Sequence, residues 1–69
     1  MKDGIFLKEM GGKIRAARIA AKLSYPQLSR LTGLGVPALW FIENGRRNAH
    51  ILTLKSIAEA LNVNVKDFI

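Results

Sequence analysis

The chain has no cysteine, a single histidine and only five acidic residues. Without cysteine there can be no disulfide and no thiolate metal site, and a lone His50 among scattered carboxylates does not make up the ligand set that zinc needs. No metal and no cofactor is therefore expected. Catalytic constellations are missing too: no nucleophile stands with a base, no carboxylate dyad forms, and no glycine loop could cradle a phosphate, so an enzyme is not expected. Apolar runs stay well short of the roughly 18 residues that would cross a bilayer, and the first residues lack a signal-peptide pattern. The expectation is a soluble cytoplasmic protein with neither a membrane nor a small-molecule substrate as partner. At 69 residues the chain is read as one domain, 1–69, near the lower limit at which a single core holds a fold.

What the sequence has in excess is positive charge. Eleven basic residues against five acidic ones give +6, which favours polyanions through long-range attraction and counterion release, or simply keeps a small protein in solution.

The stretch Ser24 to Asn44 organises the rest. Ser24 followed three residues on by Gln27 is a capping-box pattern, and Pro26 falls in the first helical turn, where its missing N–H costs little. A helix is predicted from about Tyr25, with Leu28 and Leu31 on its buried face and Gly33 supplying a turn. Leu34 tucks inward, Gly35 is a tolerable N-cap, and a further helix runs from Val36 to about Asn44 with Leu39 and Ile42 inward. Gly45 is placed to end it in a left-handed conformation. Helix, short turn and helix make a helix-turn-helix.

Upstream, Phe6, Met10, Ile14, Ala17 and Ala21 recur at helical spacing. They predict a first helix from about Ile5 to Lys22, weakened by Gly11 and Gly12 at roughly 1 kcal/mol each relative to alanine. Lys13, Arg15, Arg18 and Lys22 are placed on its solvent side. Downstream, a fourth helix is predicted over about Leu52 to Leu61 with Leu54, Ile57, Ala58 and Leu61 inward. Asn64 then caps a short fifth one, Val65 to Ile69, whose Phe68 closes the core.

From Gly12 to Phe68 the chain resembles the phage-repressor and Cro type of helix-turn-helix domain. The resemblance rests on Gly12, Ile14, Arg15 and Arg18; on Leu23-Ser24, Leu28, Gly33-Leu34 and Leu39; on the run Ile42 to Asn48; and on Thr53-Leu54 and Ile57 to Leu61. It implies an all-α, five-helix, lambda-repressor-like bundle. It also implies that Glu43 is structural, reaching a basic partner on the first or second helix, and that the loop Arg46-Arg47-Asn48 runs near a phosphate backbone. Those arginines could bind phosphate or merely neutralise the end of the helix dipole.

The outer face of the helix-turn-helix departs from the family. Positions where groove-reading Gln, Ser, Thr, Arg, Lys or Asn are usual hold Val36, Pro37, Ala38, Trp40 and Phe41; Tyr25-Pro26 replace the usual Gln-Glu, and His50 takes the place of a good N-cap on the fourth helix. With Leu39 and Ile42 inward, the helix period sends Val36, Pro37, Trp40 and Phe41 outward. Monomers seldom expose such a patch without a partner.

Two functions follow. The first is a protein-binding module, a scaffold repurposed by selection or by engineering. It would present Tyr25, Val36, Pro37, Ala38, Trp40, Phe41, His50, Ile51 and Leu52 to a protein partner, with His50 making the contact sensitive to pH. The alternative is a DNA-binding transcriptional regulator, a homodimer on duplex DNA that uses Arg15, Arg18, Val36, Pro37, Phe41, Arg46, Arg47 and Asn48. There the apolar side chains would meet thymine methyl groups.

Overall fold

The computed structural model describes residues 2–69, all helix and connecting turn, with no strand among them. Helix α1 spans Lys2–Ala20, α2 Tyr25–Thr32, α3 Val36–Glu43 and α4 Ile51–Leu61, followed by a 3-10 turn at Val65–Phe68. The fifth helix expected at the C-terminus is therefore a single tight turn. Its two ends explain why: the Asn64 side chain accepts from the Lys66 N–H while Asp67 reaches back to the Asn64 N–H, and Ile69 N–H donates to Lys66 O, so the segment closes on itself before an α-helical bond can form.

The predicted starts of α2 and α3 hold because their determinants are local. Ser24 and Gln27 exchange both capping-box hydrogen bonds, Pro26 lies in the first turn, and Gly35 caps α3 through its backbone alone. Helices α1, α3 and α4 end in the same way. Leu23 N–H bonds to Arg18 O and Lys22 N–H to Ile19 O; Arg46 N–H bonds to Phe41 O and Gly45 N–H to Ile42 O; Val63 N–H bonds to Ala58 O and Asn62 N–H to Glu59 O. Each is the paired-bond C-terminal motif that needs a left-handed residue, here Lys22, Gly45 and Asn62 with φ of 59°, 68° and 57°.

Met10, Ile14, Leu28, Leu39, Ile42, Leu54, Ile57, Ala58, Leu61 and Phe68 form one buried cluster, with Leu7, Ala17, Leu23, Tyr25 and Leu34 packed around it. All four positions expected inward on α4 are in it. Two expectations are corrected. Phe6 and Ala21 are exposed, because the inward line of α1 runs through Leu7, Met10, Ile14 and Ala17, one residue off at its start and already over before Ala21. Leu31 is 60% exposed, because the position four after Leu28 is the one that faces inward again, and there Thr32 donates its hydroxyl to Leu28 O.

Helix α1 runs unbroken through Gly11 and Gly12, and Gly11 is a contact rather than a weakness. A Cβ at Gly11 would lie 2.5 Å from Ile42 O and closer still to Glu43 O, so the α1 backbone sits directly on the last turn of α3. Helix α3 thus rests on α1 and α2, while α4 packs against α2, α1 and the terminal turn.

Candidate nucleic-acid interface

The position of α3 is set by the one carboxylate in the middle of the chain. The Glu43 side chain has no exposed surface, and it takes two hydrogen bonds from Arg18, Nε to Oε2 at 2.7 Å and Nη2 to Oε1 at 3.1 Å. Tyr25 donates its hydroxyl to the same Oε1 at 2.9 Å, and the Arg18 guanidinium carbon stands 4.2 Å from the Tyr25 ring centroid. Arg18 Nη1 also donates to Leu23 O at 2.9 Å. One group therefore ties α1, α2 and α3 together, and the buried carboxylate is satisfied by a bidentate fork and a phenol. The hydrogen bonds to Glu43 hold the Arg18 guanidinium above its ordinary range, against the opposing effect of burial. Burial, then the bond to Glu43, raise the Tyr25 hydroxyl.

This network confirms Glu43 as structural, with its partners on both the first and second helices. It also corrects two expectations. Arg18 is not a solvent-face cation free to meet phosphate, since its side chain is only 11% exposed and each of its three guanidinium nitrogens donates to Glu43 or to Leu23 O. Tyr25 is not part of an open apolar patch; it is half-buried with its hydroxyl in use.

The outer face of α3 does lie open. Val36 is 37%, Trp40 44% and Phe41 38% exposed, Pro37 is exposed, and Ala38 is half-buried at the edge. Trp40 and Phe41 meet edge to face, ring centroids 5.4 Å apart, so each shields part of the other. Past the left-handed Gly45, Arg46, Arg47 and Asn48 are exposed, and the Arg47 guanidinium carbon lies 5.2 Å from the Phe41 ring centroid. A cation is thus stacked on the rim of the apolar face. Arg15 is exposed on α1. His50, Ile51 and Leu52 are exposed at the start of α4, where His50 makes no side-chain cap. They sit on a helix that packs against α2, α1 and the terminal turn.

Sequence reasoning missed how the charges segregate. Between Met10 and Ala58 the only carboxylate is Glu43, and it is buried. The exposed charges of that span are Lys13, Arg15, Lys22, Arg30, Arg46, Arg47 and Lys55, all positive. The signal was present in the spacing of the acidic residues together with the structural role that the resemblance implies for Glu43.

A helix seated on its neighbours by its inner side and open on its outer side, entered from a short turn and left through a basic loop, defines a helix-turn-helix unit. The Cro/C1-type helix-turn-helix family matches residues 14–68, and the chain belongs to that family. Solved structures agree. The restriction-modification controller protein C.AhdI from Aeromonas hydrophila superposes with a TM-score of 0.87 at 28% identity, over 91% of this chain and 96% of that one. A helix-turn-helix transcriptional regulator from Vibrio cholerae gives 0.88 at 29% identity over 96% of this chain, which spans 37% of that protein's length. The clp gene regulator ClgR from C. glutamicum gives 0.88 at 22% identity, over 91% of this chain and 81% of that one, a likeness of fold. No curated protein matches. These neighbours favour the regulator over the protein-docking module and lend no support to an engineered origin. No helix among the described residues is long and apolar enough to cross a membrane, and no group of three or more potential metal ligands occurs among them.

Proposed function

We propose that the chain is a DNA-binding transcriptional regulator that docks α3 into the major groove of duplex DNA, pairs with a second copy on a palindromic site, and has no catalytic activity of its own. The observation that carries this reading is the burial of Glu43. With that charge neutralised internally, every exposed charged residue from Met10 to Ala58 is cationic, and two of them, Arg46 and Arg47, follow directly on the open face of α3, Arg47 lying against Phe41. Family membership and the regulators among the structural neighbours support the same reading.

Within it, Arg46, Arg47 and Arg15 meet phosphates and set the register, while α3 faces the bases. Arg47 is the best placed of the three because the Phe41 ring holds its guanidinium beside the helix. A fluorescence-anisotropy titration against random duplex DNA should give dissociation constants of about 10⁻⁴ to 10⁻⁶ M at physiological salt, tightening steeply as salt is lowered. Arg47→Ala should weaken binding to all sequences alike and reduce the salt slope by about 1. Absent binding at low salt, or binding indifferent to salt, would refute the proposal.

One observation favours the protein-docking reading. Trp40 and Phe41 form an exposed aromatic pair of the kind that anchors protein interfaces. A flat DNA titration would return that reading to first place.

A further inference from the structure

The four outward residues of α3, Val36, Pro37, Trp40 and Phe41, follow one another around a contiguous arc of the helix, at positions i, i+1, i+4 and i+5. Among them they carry one polar hydrogen, the indole N–H of Trp40, and no acceptor. Such a face cannot form the forked bonds by which Arg reads guanine or Gln and Asn read adenine. Nor can it accept from the amino group of cytosine. A G·C pair shows only donors and acceptors on its major-groove edge apart from one C–H, and pressing those against apolar side chains would leave them unpaired. The A·T pair adds the one apolar group that the groove offers, the thymine C5-methyl.

The geometry points to thymine methyl groups as the feature of DNA that this helix recognises, with Val36 and Phe41 making the methyl contacts and Trp40 and Pro37 shielding them from water. The inference rests on the DNA-binding reading above. Duplex DNA is the occupant because the loop that leaves the face is cationic: Arg47 lies against Phe41, Arg46 precedes it, and Glu43, the one carboxylate on α3, is buried and neutralised. Recognition then comes from matching apolar groups within an electrostatic frame that carries no sequence information of its own.

The test uses the unaltered protein first. Duplexes are selected from a random library, and each thymine of the selected site is replaced in turn by uracil, which differs only in lacking the C5-methyl. Under α3, each replacement should weaken binding about fourfold, the factor expected for one buried methyl. Val36→Ala or Phe41→Ala should then shrink the thymine–uracil difference at particular positions, whereas Arg47→Ala should lower affinity for both duplexes equally. Thermal melting of the variants shows that they remain folded, and the uracil arm does not depend on them. A selected site whose uracil versions bind as tightly as the originals overturns the inference and leaves DNA binding standing, as does binding without any sequence preference. Failure to bind any duplex at low salt removes both.

Discussion

Replacing Arg18 by alanine should be far more damaging than its place among the basic residues of α1 implies. The substitution removes two hydrogen bonds to Glu43, one to Leu23 O and the cation over the Tyr25 ring, and leaves a carboxylate with no exposed surface held by one phenol. An exposed ion pair is worth about 0–1 kcal/mol. Stranding a buried partner costs about 3–5 kcal/mol, because the desolvation of the charge is no longer offset. The whole stability of a chain this size is about 3–10 kcal/mol, so Arg18→Ala should remove a third of it or more. The reverse truncation, Glu43→Ala, should cost less, since the Arg18 side chain keeps 11% of its surface and a path to water while Glu43 has none. Arg18→Lys should rescue little, because a single ammonium cannot reproduce the bidentate fork. Equilibrium unfolding in urea of the three variants and the parent measures this order directly. A loss below about 1 kcal/mol for Arg18→Ala, or a larger loss for Glu43→Ala, would show that the network is not what holds α3 in place.

Other outcomes follow from single contacts. Gly11→Ala, normally a gain inside a helix, should destabilise by about 1–3 kcal/mol, since its Cβ would meet backbone oxygens of α3 that cannot move independently; a raised melting temperature would refute the close approach. Because Tyr25 is raised by burial and by Glu43, the folded chain keeps that proton longer than the unfolded one. The stability it contributes is therefore complete below the ordinary tyrosine range, about pH 10, and is lost as pH climbs through the folded value. Tyr25→Phe should remove this alkaline step from a plot of stability against pH, and an unchanged step would assign it elsewhere. His50→Asp should stabilise by about 1 kcal/mol by supplying the N-cap that α4 lacks, read as a higher urea midpoint with unchanged slope.

The parts of the fold that could be read in the sequence are those whose cause lies within a few residues of the effect. Ser24 with Gln27, Gly35 and Gly45 mark the ends of α2 and α3 through local hydrogen bonds and backbone angles, and each stands where expected. Leu54, Ile57, Ala58 and Leu61 leave only one way to orient α4. The failures are all matters of what lies opposite. Leu31 and Phe6 are as apolar as their buried neighbours, and only the packing of α2 and α1 turns them outward. Nothing within several residues of Arg18 tells it apart from Arg15, yet one meets a carboxylate 25 positions away and the other meets water. Gly11 looked like a flaw in α1 because the α3 turn that needs the missing Cβ lies some thirty residues on. For the candidate site, the apolar outward face was legible from helical period alone. That Glu43 is held internally followed from the resemblance, but which side chains hold it did not, because Arg18 and Tyr25 lie 25 and 18 positions away.

An eight-residue helix is too short to persist in water unaided, so α3 exists only through its inner side, where Leu39, Ile42 and Glu43 are all engaged. None of those duties falls on the side chains of Val36, Pro37, Trp40 or Phe41. Lineages carrying this domain can therefore exchange those four codons with little penalty in foldability, and a new preference can arise while the old architecture persists.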